Sequence, residues 1–272
     1  MTRVSMILPL LVAPVLAHAQ EADGYSYSQP RMSSQSSGTG AIFTLGAGVA
    51  VAPKYPGSDE FTTGPDMVIR FHALNYNGTM IGNTDPNARN MGFSVSGSFR
   101  YVGERDTSEY PELFGMDDVE DSIELGLGLN YEIDNLKLFS DVRYGVTGHN
   151  TWVGEVGADF VTQPMENLTL TMGPRAFWGT EKFAQTYYGV TAAESAASGG
   201  ALAAFDADGG FLSAGVELGA RYSFDSGWGL ESTLRYDKLI SDAGDSPITK
   251  VGSDEQWRFN LDVTRVFRMG AI

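Results

Sequence analysis

The sequence predicts an all-β chain, an antiparallel up-and-down transmembrane β-barrel of ten strands, and three observations point to it. The first is a series of segments about ten residues long in which apolar and polar residues alternate, the pattern of a strand with one greasy face and one wet face. The second is that no segment approaches the roughly twenty apolar residues that a membrane-crossing helix needs, so a membrane form of this chain must be a closed barrel. The third is the alternation of tight turns with long connections. Outer-membrane barrels have an even strand number, short periplasmic turns and long outer loops.

The ends are read first. Arg3 supplies a positive n-region, Met6 to Leu16 an apolar h-region, and Ala17-His18-Ala19 an A-x-A cleavage site. Residues 1–19 therefore read as a cleaved signal peptide, with the mature chain starting at Gln20. Residues 20–40, rich in Ser, Gln and Gly, cannot bury a core and read as a flexible periplasmic tail. Residues 41–272 read as one barrel domain.

The first strand is expected at about 41–51, with Phe43, Leu45, Ala47, Val49 and Val51 on one face and Thr44, Gly46 and Gly48 on the other. The segment 65–84 admits two readings, one long strand or a hairpin folded at Asn77-Gly78, a strong turn signal. One strand here gives an even total of ten. Twelve is the alternative, with an extra strand at Thr186 to Val190. Further strands are expected at about 91–102, 121–133, 136–147, 151–162, 168–179, 210–223 and 228–240. The clearest, 121–133, alternates Ile123, Leu125, Leu127, Leu129 and Tyr131 with Glu124, Gly126, Gly128, Asn130 and Glu132. The closing strand runs from Trp257 to Phe267, with only Arg265 interrupting its apolar row. Counting back from it, the turns at 132–135, 163–167 and 224–227 fall on the periplasmic side. The long connections 103–120, 180–209 and 241–255 fall outside.

The face opposite the apolar rows carries both signs of charge: Arg70, Arg100, Lys137, Arg143, Arg175, Arg221, Arg235 and Arg258 with Glu124, Asp141, Glu155, Asp159, Glu217, Glu231, Asp237 and Asp262. These are the candidate lumen residues. A ten-stranded barrel is narrow enough for side chains nearly to fill it, so either they pair across the interior or they line a slim polar channel.

Composition narrows the chemistry. The chain has 34 acidic and 18 basic residues, a net charge of -16. Nucleic acid is excluded as a partner, since phosphate binding needs a basic surface. The acidity suits solvated loops, or divalent-cation bridges to lipopolysaccharide beside the surrounding lipid. Cysteine is absent, which removes disulfides, thiol chemistry and a cysteine-linked lipid anchor. The mature chain holds two histidines, His72 on a strand and His149 in an expected surface turn. Neither has a partner at metal-ligand spacing, and neither is joined to a nucleophile and an orienting group. No enzyme activity, metal or cofactor is expected. Gly46-x-Gly48 precedes no helix or Lys-Ser/Thr, so it is no nucleotide loop. Asp117-Asp118-Val119-Glu120-Asp121 lacks the spacing of a calcium loop and reads as solvated.

Four stretches resemble the MipA/OmpV family of outer-membrane proteins (MltA-interacting protein). They are Gly46-Ala47-Gly48 with Pro53-Lys54-Tyr55-Pro56-Gly57-Ser58; Gly103-Glu104-Arg105-Asp106 with Gly115 to Gly126; Tyr187-Tyr188-Gly189-Val190-Thr191 with Ala203 to Gly210; and Leu239 to Ile248. The resemblance implies a Gram-negative outer-membrane barrel. It also implies a scaffold that holds a murein-degrading lytic transglycosylase together with a penicillin-binding protein. Porin-like and adhesin-like members are the alternative, a small-solute channel or a surface interaction protein. The sequence departs from the usual outer-membrane ending in one respect: Arg268-Met269-Gly270-Ala271-Ile272 follow Phe267, where a terminal aromatic is the rule.

Overall fold

The computed structural model describes residues 38–270 and 272; the expected signal peptide, and the expected tail up to residue 37, lie outside the described residues. Eleven strands run β1 (Gly40–Pro53), β2 (Phe61–Tyr76), β3 (Thr79–Gly82), β4 (Gly92–Val102), β5 (Ser122–Ile133), β6 (Leu136–Gly145), β7 (Trp152–Met165), β8 (Leu168–Gly179), β9 (Gly210–Ser223), β10 (Trp228–Leu239) and β11 (Glu255–Gly270). They form one antiparallel sheet in the order β3-β2-β1-β11-β10-β9-β8-β7-β6-β5-β4. All-β, antiparallel, up-and-down topology is therefore the fold, with ten long strands and one short one.

The expected count of ten changes because both readings of 65–84 hold in part. β2 is a single long strand, yet the chain does fold back at Asn77-Gly78, where both residues take positive φ, and β3 pairs four residues with the end of β2. The alternative of twelve fails at Thr186 to Val190, most of which lies in helix α1 (Glu181–Tyr188). The closing strand also continues past Phe267. Gly40 pairs with Gly270 and Ile42 with Arg268, so the β1–β11 ladder uses residues that follow the aromatic.

The outward face is apolar. Leu125, Leu218 and Leu261 are 49%, 44% and 44% exposed, while Glu124 on the opposite face is 0%. An exposed apolar belt of this extent fits hydrocarbon rather than water. Arg265, the one charge in the closing apolar row, lies over the Trp228 ring at 4.8 Å, so its cation rests on an aromatic face. The sheet is curled with the charged face inside, because Arg235 on β10 reaches Glu155 on β7 at 2.7 Å across two intervening strands.

Glycines let the ladders close. A Cβ on Gly48 would lie 2.0 Å from the Leu261 carbonyl oxygen, so no larger residue fits where β1 meets β11. Among the described residues no helix is long and apolar enough to cross a membrane. The helices are short and lie in the long connections: α1, α2 (Ala192–Ala197), α3 (Ser241–Asp245) and α4 (Pro247–Val251).

Candidate functional site

The interior begins at the rows of charged residues that the strand period turns inward. Arg100, Glu124, Arg143, Glu155, Arg235, Glu217, Arg175 and Asp159 form one chain of alternating charge. Successive N···O separations are 2.6, 3.1, 3.6, 2.7, 3.8, 3.0 and 2.8 Å. Asp141 joins it at Arg143, 3.4 Å away, and Asp237 joins at Arg235. Lower in the barrel Arg70 holds Glu231 through two hydrogen bonds of 2.9 and 2.7 Å. Such two-pronged pairs are the strong ones, and in a narrow interior each charge needs its partner.

Four of the sixteen candidate lumen residues have no ion pair among the described residues: Lys137, Arg221, Arg258 and Asp262. Arg221 touches Thr169 at 3.5 Å. Arg258 stands directly across the ladder from Arg235, whose charge Glu155 and Asp237 already take. The candidate set omitted several interior residues. Asp66 accepts from Asn260, and Arg89 pairs with Glu132. His72 Nε2 lies 2.8 Å from the Thr44 hydroxyl. The even-numbered positions of β2 carried a signal for Asp66. Arg89 lies outside every strand, so periodicity gave none.

His149 is the clearest correction. The expected surface turn is instead a buried joint, with His149 2% exposed. Its Nδ1 accepts from the Thr151 N–H at 3.3 Å, and its Nε2 donates to Glu124 at 3.1 Å. The backbone donor assigns the proton to Nε2. The ring meets Phe183 of α1 edge-on, 5.1 Å between centroids.

Above this joint the long connections close the outer mouth. Val153, Phe177, Phe183, Ala184, Tyr187, Tyr188, Ala207, Leu212, Leu239 and Ala243 form one buried apolar cluster. A second, from Tyr55 and Tyr110 through Leu113 and Val190 to Ile248, draws on four of the five outer connections, 54–60, 103–121, 180–209 and 240–254. The Arg100 guanidinium lies 4.1 Å from the Phe177 ring centre, so the charged chain ends against the apolar plug. Thr180 caps α1, accepting from the Phe183 N–H. Thr191 and Glu194 form a full capping box on α2. Glu194 also accepts from the Asp117 N–H at 3.0 Å and so ties two loops together. Burial pushes the Tyr187 hydroxyl up to about 12 and raises Tyr55 and Tyr188 as well, so all three stay neutral in the plug.

A profile of the family described as MltA-interacting protein MipA matches residues 45–267. The chain belongs to this family. The MltA-interacting proteins of Escherichia coli (strain K12) and Shigella flexneri are each 36% identical over 90 residues, 33% of this chain and 34% of theirs. The match thus spans about a third of those relatives. Among solved structures, the COG4313 outer membrane channel from Pseudomonas putida F1 aligns over 84% of this chain and 96% of its own. Its identity is 14% and its TM-score 0.42. The outer membrane protein OprG from Pseudomonas aeruginosa aligns over 84% and 96%, with 10% identity and a TM-score of 0.26.

Proposed function

We propose that this MipA-family chain is a non-enzymatic outer-membrane scaffold, with a barrel closed to ion flow, that holds a murein-remodelling lytic transglycosylase at the membrane. One observation carries the closed-barrel half of the reading: ten of the sixteen interior charges are linked in one network, which ends against a buried, largely aromatic plug. A pore of useful width needs water along its axis, and here the outer end is filled by side chains. The docking half rests on the family, which is named for an interaction with MltA. A penicillin-binding protein as second partner is part of the same proposal, as are contacts with lipid and lipopolysaccharide along the apolar belt and the acidic loops.

The test is capture of a purified lytic transglycosylase by the immobilised mature protein in detergent. Saturable retention, lost when the periplasmic turns at 134–135, 166–167 and 224–227 are replaced together by glycine-serine turns, supports the scaffold. Retention no greater than that of an unrelated outer-membrane barrel overturns it.

A further inference from the structure

The connection between β3 and β4, residues 83–91, does not run along the rim. It enters the periplasmic mouth and touches widely separated walls. Asn87 Oδ1 accepts from Ser223 Oγ on β9 at 2.8 Å, and the Asn87 carbonyl accepts from Gln163 Nε2 on β7 at 3.3 Å. Arg89 pairs with Glu132 at the end of β5. Pro86 and Asn87 help to line a water-sized recess, about 20 Å³, shared with inward residues of β1, β2, β9, β10 and β11 that include Thr44, Arg70, His72, Arg221 and Glu231. The segment holds its own shape through hydrogen bonds from the Asp85 N–H to Asn83 Oδ1 and from the Asn87 N–H to Asp85 Oδ1.

We propose that residues 83–91 form a periplasmic lid over this polar recess, and that the recess widens and admits water and small hydrophilic solutes from the periplasm only when the lid lifts. What holds it is polar: the Asn87 side chain and carbonyl, the Arg89 guanidinium and the Asn83 N–H, which donates to the His72 carbonyl, in contrast to the buried apolar packing of the outer plug. Contacts of that kind open far more readily than a core. The recess behind it has room for about one water while the lid is down, and its charged and hydroxyl lining suits a water-soluble guest and not an apolar one. With the outer mouth plugged, the lid governs entry from one side only and makes no through-channel. The inference stands apart from docking, since a failed capture experiment leaves the lid untouched.

The chain has no cysteine, which allows a clean test in the full mature protein. Thr44→Cys places a thiol at the recess, where Thr44 is 4% exposed. Its rate of reaction with a membrane-impermeant, sulfonate-bearing methanethiosulfonate reports opening of the mouth. Combining it with Asn87→Ala and Arg89→Ala removes the two side-chain anchors on the lid, to Ser223 and Glu132, and leaves the Asn87 carbonyl's bond to Gln163. Combining it with Gln163→Ala and Ser223→Ala removes those on the walls, a second route to release if the first variant folds poorly. Loss of two such contacts predicts labelling about tenfold faster or more. A Thr84→Cys reporter on the exposed side of the segment should label at one rate in all backgrounds. Thr44→Cys rates unchanged in both release variants overturn the proposal, as does an equal rise at Thr84→Cys, which signals general loosening.

Discussion

Glu124 is the residue on which most of the interior converges. It is fully buried, and it accepts from Arg100 at 2.8 and 2.6 Å, from Arg143 at 3.1 Å and from His149 at 3.1 Å. Removing one member of a buried ion network leaves the others uncompensated, which costs about 3–5 kcal/mol. Glu124→Ala should therefore lower the urea midpoint of the barrel strongly. Arg100→Leu added to it should recover part of the loss, because it deletes a charge that would be stranded. No recovery in the double variant would mean that Arg100 does not depend on Glu124. Glu194 makes a second prediction at the same scale. Burial raises its carboxyl, but hydrogen bonds from Asp117, from the Thr191 hydroxyl and from the Thr191 backbone outweigh burial and hold it below the ordinary glutamate range. A depressed folded value stabilises above the unfolded value, about 4.3, and that stability is lost as pH falls through the folded one. Protease cleavage within 180–209 should be slow at neutral pH and speed up below about pH 4. In Glu194→Gln it should be faster at neutral pH and respond less to acid.

At the level of elements, the strands could be read because their physics is local. Period-2 alternation and tight turns place β5 to β10 almost residue for residue, and the same alternation assigns sixteen inward charges, twelve of which have ion pairs. The count missed β3 because the even strand number of closed barrels decided against the hairpin reading of 65–84, the reading that gives eleven. Asn77-Gly78 marked both its turn and its partner, since a hairpin there pairs 79–82 with the end of β2. The outer loops are a different case. Thr191-x-x-Glu194 is a capping signature in plain sight, yet packing of α1 on His149 and Phe177 depends on contacts between residues far apart in the chain. Gly115 shows the same dependence. Its φ is +89°, and a Cβ there would lie 2.4 Å from the Ser198 nitrogen, a close approach visible only after folding. Leu113, 0% exposed among these loops, should behave as a core residue. Leu113→Ala is expected to cost the plug about 2–5 kcal/mol and to raise amide exchange in 103–121 and 180–209 while β5 to β10 keep their protection. Equal loss of protection in the strands would show that plug and barrel unfold as one unit.

For the whole molecule, the sheet order starts at β3 and ends at β4, and among the described residues no ladder joins β4 to β2 or β3. Unpaired backbone along one edge of β2 and of β4 is the weakest part of a structure whose other long strands pair on both sides, since hydrocarbon offers no substitute hydrogen bonds. In detergent, amides of 61–72 and 92–102 should exchange first and those of β6 to β9 last; uniform exchange around the barrel would contradict this ordering. A closed interior is what the proposed scaffold requires and a channel forbids. Its inner charges are networked, its outer mouth is packed with apolar side chains and its periplasmic mouth is crossed by residues 83–91. The decisive measurement is current through planar lipid bilayers containing the purified, folded mature protein in concentrated potassium chloride. The expected result is a silent membrane. Steady, ohmic single-channel steps from the intact protein would show that water and ions pass along its axis, and the closed-barrel reading would have to be abandoned.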